Sequence, residues 1–565
     1  MRHRLVLAAA AVALVLLALP AAAPPAGAAS GRPRLVVLIV VDMLRADLLT
    51  RYEDLFLPAR TPEGVGGFRW MMEEGAWFGD ARHDHYPLHT AVGHAAIVTG
   101  AYPYQHGVVS NKWYDRSIGR VRLAEEDPNS PVIGAAESKR GVSPVALRAS
   151  TIGDEMKIAA GTRAKVWAVA QKDRAAVLMA GRLGDGAVWF DDTGGSWVTS
   201  RFYARGGALP SWLEAWNARR APDALFGKVW SLSLPAEAVA RSRAPSADGA
   251  DNLRSLGPAF PHTLDGGLDR PGRAFYRAFA ASPFGNAMTL DTSRRLAEAE
   301  SLGQDAGADL LAIGLSALDY AGEDFGPNSP EILDLMVQTD RQLSGFFNDL
   351  ARSIPGGFRS VTVVLTGDHG IAPIVAEAKA AGLPAGVFQE ETVLKAIEEA
   401  LDGELGADDW TEAAVEMNLY LNLRTIARRK VPQDEVEAKA VAAADRVDGI
   451  YAACARSRIL SGRLPATDLA RRVAEGFHPR VSGEIVLVPQ AFWVRGQSER
   501  GAAHGAPYAY DTAVPILLAG AGVRPGQHLE RVTTLDIAPT IAALLGVLPP
   551  SGSEGKVLAA ALLLE

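Results

Sequence analysis

Short runs of Val, Ile and Leu punctuate the chain at residues 35–41, 166–170, 310–315, 361–365 and 514–518. Near-continuous apolar runs of this length, rich in β-branched residues, predict strands buried on both faces of a sheet. Helical spacing of apolar positions fills the stretches between them, as at residues 331–350 and 392–401. Strands alternating with helices predict an α/β fold, here an α/β/α sandwich around a central, mostly parallel sheet. Two stretches break the rhythm. Residues at about 183–300 are rich in Gly, Pro, Arg and Trp, and those at about 374–500 carry helices with a few strands. Both read as insertions that build a lid over a site. Trp189, Trp197, Trp212, Trp216 and Trp230 of the first are expected to be core.

The residues immediately after each run carry the functional signal. Asp42 comes after the first, Gln171-Lys172-Asp173-Arg174 after the second, Ser316-Ala317-Leu318-Asp319 after the third and Thr366-Gly367-Asp368-His369-Gly370 after the fourth. Open α/β sheets bind ligands beyond the carboxyl ends of their strands. One aspartate at such an exit is accounted for as a helix cap. Four exits carrying Asp, Lys-x-Arg, Asp and Asp-His predict one shared polar site.

The N-terminus departs from this pattern. Arg2 and Arg4 precede an apolar run at 5–19, and Pro20 and small residues lead to Ala26-Gly27-Ala28. That is the layout of a secretory signal covering residues 1–28, with residues 29–565 as one catalytic domain. The alternative is a retained anchor, but the run is short for a bilayer. An exported protein, periplasmic or secreted, is therefore expected, with no stable membrane span after cleavage. The formal charge of −8 gives no basic excess for a nucleic-acid scaffold. Cys454 is the sole cysteine, which excludes an internal disulfide framework or a Cys-based zinc cluster and is itself expected to be buried. Any metal site must use Asp, Glu and His.

Such ligands stand at the strand exits. Asp368 and His369 are adjacent, Asp319 and Glu323 are four apart and share a face if helical, and His504 precedes the last apolar run. With Asp42 they suffice for two ions, and two metals about 4 Å apart clamp the attacking and leaving oxygens of a displacement at phosphorus. Thr90 opens a predicted helix over 91–99. A hydroxyl there meets the positive end of the helix and, beside a metal, becomes a nucleophile; it equally serves as a plain N-cap, and the residues alone leave both open.

Taken in order, Val40-Val41-Asp42, Thr90-Ala91-Val92-Gly93-His94, Thr99-Gly100, His106-Gly107, Ser110-Asn111-Lys112-Trp113-Tyr114-Asp115, Lys172-Asp173-Arg174, Asp319-Tyr320, Phe325-Gly326-Pro327, Gly367-Asp368-His369-Gly370 and His504-Gly505-Ala506-Pro507-Tyr508 form one set. This ordered set resembles the alkaline phosphatase superfamily, and more closely its phosphate-irrepressible, threonine-nucleophile alkaline phosphatases. The resemblance implies an alkaline-phosphatase-like sandwich that hydrolyses small phosphate monoesters through a phospho-threonine intermediate and releases inorganic phosphate. It implies two divalent ions, zinc by type. Asp42, Thr90, Asp368 and His369 would hold one, and Asp319, the residue at 323 and His504 the other. Asn111, Lys172 and Arg174 would bind the phosphoryl oxygens, consistent with the cations and donors that phosphoryl transfer needs.

Glu323 departs from the family, which has His there. Glutamate ligates zinc through oxygen but adds negative charge, and Asp324 beside it offers a second carboxylate. A phosphodiesterase or nucleotide pyrophosphatase of the same superfamily is the rival reading, and a degenerate phosphate-binding member a third. Lys172 with Arg174 favours a dianionic monoester over a singly charged diester. A sulfatase would need a different nucleophile motif. His83, His85 and His89 are expected in a loop packed near the site or in a solvated one, His94 and His106 to shape the nucleophile helix, and His478 to support a late loop.

Overall fold

The computed structural model describes residues 31–137, 140–242 and 252–563. The expected secretory signal lies outside these residues. Ten strands form one sheet in the order Gly526–His528, Ala76–Arg82, Ala513–Gly520, Val361–Thr366, Leu35–Val41, Asp309–Leu315, Val166–Ala170, Gly186–Asp191, Ser196–Ser200 and Val132–Ile133, and Val532–Thr533 pairs off this path with Ala76–Arg82. The five from Val361–Thr366 to Gly186–Asp191 are mutually parallel. Antiparallel strands flank them on both sides.

Leu35–Val41 is buried at every position because the sheet is covered on both faces. Leu35, Val37, Ile39 and Val41 pack with Leu296, Ile332 and Leu333 from the helices Pro283–Ala299 and Pro330–Ser353. Val36, Leu38 and Val40 pack with Ala91, Val92 and Val177 from the helices Thr90–Thr99 and Asp173–Ala180. Each fully buried aliphatic side chain contributes about 1.5–3 kcal/mol, so an uninterrupted apolar strand is what a three-layer sandwich requires at its centre.

The register sets the site. Val40 lies opposite both Gly314 and Thr366, and Gly314 opposite Ala170. Two residues further on, Asp42, Ser316, Asp368 and Lys172 leave the sheet level with one another. Ala513–Gly520 runs antiparallel to Val361–Thr366, so the His504 loop that precedes it arrives at this same edge.

The structure places the two interrupting stretches differently from one another. Gly186–Asp191 and Ser196–Ser200 are strands of the central sheet, and Pro283–Ala299 is one of its covering helices, so both ends of the 183–300 stretch belong to the sandwich. A sequence rich in Gly and Trp hid these two short strands, whose Trp189 and Trp197 are buried; Trp212 and Trp230 are buried elsewhere in the stretch, and Trp216 is partly buried against the same core. The 374–500 stretch contains a four-stranded sheet of its own, Thr411–Val415, Asn418–Leu421, Ile485–Pro489 and Ile450–Ala455. The helices Glu390–Leu405 and Gln433–Ala444 pack with this sheet in a separate core that includes Cys454.

Candidate active site

Thr90 is the first residue of a helix that is buried along its whole length, Thr90–Thr99. Gly93 lets this helix press on the Asp368 turn: a Cβ there would lie 2.2 Å from the Asp368 carbonyl oxygen. The loop at 110–112 secures its start. Asn111 Oδ1 accepts the Ala91 N–H at 2.9 Å, which leaves its amide NH₂ as a donor for the site. Glu416, from the 374–500 insertion, holds that loop by accepting the Asn111 N–H at 3.0 Å and the Ser110 hydroxyl.

Lys172 is the hub. Its ammonium donates to Thr90 Oγ1 at 3.2 Å and to Asp319 Oδ2 at 2.5 Å, and lies 2.9 Å from Asp42 Oδ2. Asp42 Oδ2 also accepts the Ser316 hydroxyl at 2.8 Å, as the register dictates. Asp368 Oδ1 accepts the Met43 N–H at 3.1 Å.

The other oxygen of each carboxylate is buried without a hydrogen bond. Asp42 Oδ1, Asp319 Oδ1, Asp368 Oδ2, His94 Nε2 and His369 Nε2 are buried and unbonded. They gather in two groups, Asp319 with His369 and His504, and Asp42 with His94 and Asp368, each with its ligand atoms within 4.8 Å of one another. His369 Nε2 is also 3.3 Å from Asp368 Oδ2, so it stands between the groups. The imidazoles are fixed by their far nitrogens: His369 Nδ1 on Gly370 O at 2.8 Å, His504 Nδ1 on Leu88 O at 3.0 Å and His94 Nδ1 on Thr90 O at 2.9 Å. That is how metal-ligating histidines are oriented, and buried orphan oxygens and nitrogens are the donor set zinc takes. The residues fit divalent ions.

Electrostatics agree. Burial and the neighbouring Asp42 push the Asp368 carboxyl well above the usual range. Burial also pushes Asp319 up, but Lys172, His369 and His504 overcome it and hold that carboxyl low. Burial and His504 keep the His369 imidazole neutral, the form that ligates metal.

Against expectation, Glu323 belongs to neither group. It sits on the helix Ala317–Phe325 one turn after Asp319, and its carboxylate is paired with the Arg254 guanidinium, a charge-assisted contact. Asp324 does not replace it: its carboxylate accepts the backbone N–H groups of Leu253 and Arg254 at 2.8 and 3.0 Å. His94, expected only to shape the helix, does so and also presents Nε2 3.6 Å from Asp42 Oδ1. Its place four residues after Thr90, on the same helix face, was the available signal. Glu416 and Arg254 had none, since each comes from an insertion far away in sequence. His83, His85 and His89 are buried beside the site; His83 bonds Gly367 O and Thr534, and His89 bonds Ser110.

Thr90 at its helix start and the two carboxylate–imidazole groups thus lie together at the carboxyl edge of the parallel strands, where open α/β sheets bind ligands. The chain belongs to the type I phosphodiesterase / nucleotide pyrophosphatase family, whose profile matches residues 36–508. Among its relatives, alkaline phosphatase PafA of Elizabethkingia meningoseptica is 32% identical across 93% of this chain and 94% of its own. Alkaline phosphatase PhoV of Synechococcus elongatus is 31% identical across 93% of this chain and 92% of its own. The crystal structure of PafA superposes with a TM-score of 0.84 at 30% identity, covering 94% of this chain and 99% of that one.

Proposed function

We propose that this chain is a phosphate monoester hydrolase in which Thr90 is the nucleophile. The observation that carries the reading is the Lys172 ammonium, 3.2 Å from Thr90 Oγ1 and in contact with both Asp319 and Asp42. The alkaline phosphatase names of the relatives support it. So does the solved PafA variant in which a threonine, an asparagine, a lysine and an arginine are replaced, the residue types found here at Thr90, Asn111, Lys172 and Arg174.

In this reading the Thr90 hydroxyl gives its proton to solvent, Oγ attacks phosphorus, the bond from phosphorus to the ester oxygen breaks, and the leaving oxygen takes a proton from solvent. Water then attacks the phospho-threonine, the bond to Oγ breaks, inorganic phosphate departs and the hydroxyl proton returns. Lys172, Arg174 and the Asn111 amide hold the phosphoryl oxygens, which serves a transition state whose charge is spread over those atoms. Asp42, Asp368, His94, His369, Asp319 and His504 are the candidate holders of the divalent ions. Bound there, the ions supply Lewis-acid stabilisation of the attacking and leaving oxygens. Small phosphorylated molecules are the substrates. Export is the reading of the N-terminal signal pattern, and no helix among the described residues is long and apolar enough to cross a membrane.

The test is hydrolysis of a phosphate monoester and a phosphate diester by the purified protein, with metal analysis alongside. Preference for the monoester with bound divalent metal supports the reading; preference for the diester overturns it.

A further inference from the structure

Lys172 and Arg174 line a cavity of about 670 Å³ together with Arg254, Arg273, Arg277 and Tyr320. Sites of about 300–1,000 Å³ take whole drug-sized molecules, far more than a phosphoryl group fills. The remaining space can take more than the phosphoryl group. Its chemistry is cationic. Of the acids on the same wall, Glu126 is bound to Arg120, Asp192 lies 3.6 Å from Arg273, and Asp173 accepts the Arg174 N–H at 2.8 Å. Glu125 is pushed up to about 8 by burial and the neighbouring Asp173, so it adds little negative charge near neutrality.

Arg254 is held in place on this wall. Its backbone is tied to Asp324 and its guanidinium to Glu323, the position where this chain departs from the family histidine. The guanidinium lies 4.6 Å from the centre of the Tyr320 ring, and the Lys172 ammonium 5.1 Å from that same centre. Nε of Arg254 and Nε of Arg174 are both buried without a partner. Two cations, Lys172 and Arg174, already match a dianionic phosphoryl group. Arg254 is a third cation beside that pair: Glu323 takes its Nη2, and its buried Nε keeps a donor free for a further anion.

We infer that this cavity is a subsite for a leaving group bearing an acidic group of its own, with Arg254 as the specificity-determining residue and Glu323 its positioning residue. The inference rests on the phosphate-monoester reading and names its substrate class: phosphate monoesters whose alcohol or phenol also carries a carboxylate or a second phosphate.

The experiment compares two phenyl phosphates of matched leaving-group acidity, one bearing a meta-carboxymethyl group and the other its neutral amide. One charge-assisted contact predicts about a tenfold higher kcat/KM for the acid, carried mainly in KM. In Arg254→Ala the ratio falls to near one, and Arg254→Lys recovers part of it. Arg254→Gln, which keeps a planar head without charge, gives the same loss and guards against misfolding of the alanine variant, which a thermal melt reads directly. A ratio near one in the parent, or a ratio unchanged by Arg254→Ala and Arg254→Gln, overturns the subsite. An equal loss on both esters assigns Arg254 to the phosphoryl group and also overturns it. Calorimetric binding of the two esters to Thr90→Ala reads the preference without turnover. A preference there with no hydrolysis by the parent sustains the subsite and removes the hydrolase reading instead.

Discussion

The Lys172 ammonium stands 3.2 Å from the Thr90 hydroxyl oxygen. Burial pulls the lysine toward neutrality, but Asp319 and Asp42 more than offset it and keep the ammonium charged. A fixed cation beside a threonine oxygen favours both the alkoxide and the anion it attacks.

Lys172→Ala and Arg174→Ala therefore lower kcat/KM for a monoester by about a hundredfold or more, and for a diester by less, because the diester brings one charge rather than two. Steady-state kinetics on both substrates check this. Equal losses on the two would contradict the monoester assignment.

Glu323→Ala leaves the number of bound divalent ions per chain as it is in the parent, since its carboxylate is committed to Arg254. Elemental analysis of the two proteins decides the point. Loss of an ion in the variant would restore Glu323 to the ligand set.

Chelation abolishes hydrolysis, and added zinc restores it. The buried unpartnered atoms of Asp42, Asp319, Asp368, His94 and His369 are the reason: each would cost about 1–3 kcal/mol or more if left without a partner. Activity that survives exhaustive chelation would contradict the metal sites.

Asp511 supports the His504 loop by accepting the Ala506 N–H at 2.6 Å. Burial raises its carboxyl to about 8, above its unfolded value. The folded chain then binds more protons than the unfolded one between about pH 4 and about pH 8, so this group's contribution to stability declines as pH rises through that window. Asp511→Asn flattens the decline, by up to about 1.4 kcal/mol per pH unit. Denaturant melts of both proteins at several pH values test it; parallel pH profiles would contradict it.

Much of this site was legible in the residues alone, because parallel strands of matching register deliver their C-terminal neighbours to one edge. Asp42, Lys172, Asp319, Asp368 and His369 each stand within four residues of a strand end, so one-dimensional order translated into a shared site. His504, named from its motif, reaches the same edge through the antiparallel strand Ala513–Gly520. Glu416 and Arg254 reach the site from the insertions, and their partners lie far off in sequence, so no local pattern announced them. Helical spacing put Glu323 one turn after Asp319, but its pairing with Arg254 across the fold left no mark in the local pattern. The short strands at 186–191 and 196–200 were lost among glycines and tryptophans, whose rings fill the core.

Thr90→Ala lowers monoester turnover by about a thousandfold or more while far-ultraviolet circular dichroism and metal content stay as in the parent. The most direct measurement goes one step further. The protein is mixed with a fast monoester substrate, quenched in acid within a turnover and digested for mass spectrometry. A phosphoryl group on the peptide carrying Thr90, missing from Thr90→Ala, is the predicted result. Full activity with no phosphoryl group ever found on Thr90, or turnover by Thr90→Ala at the parent rate, would contradict it.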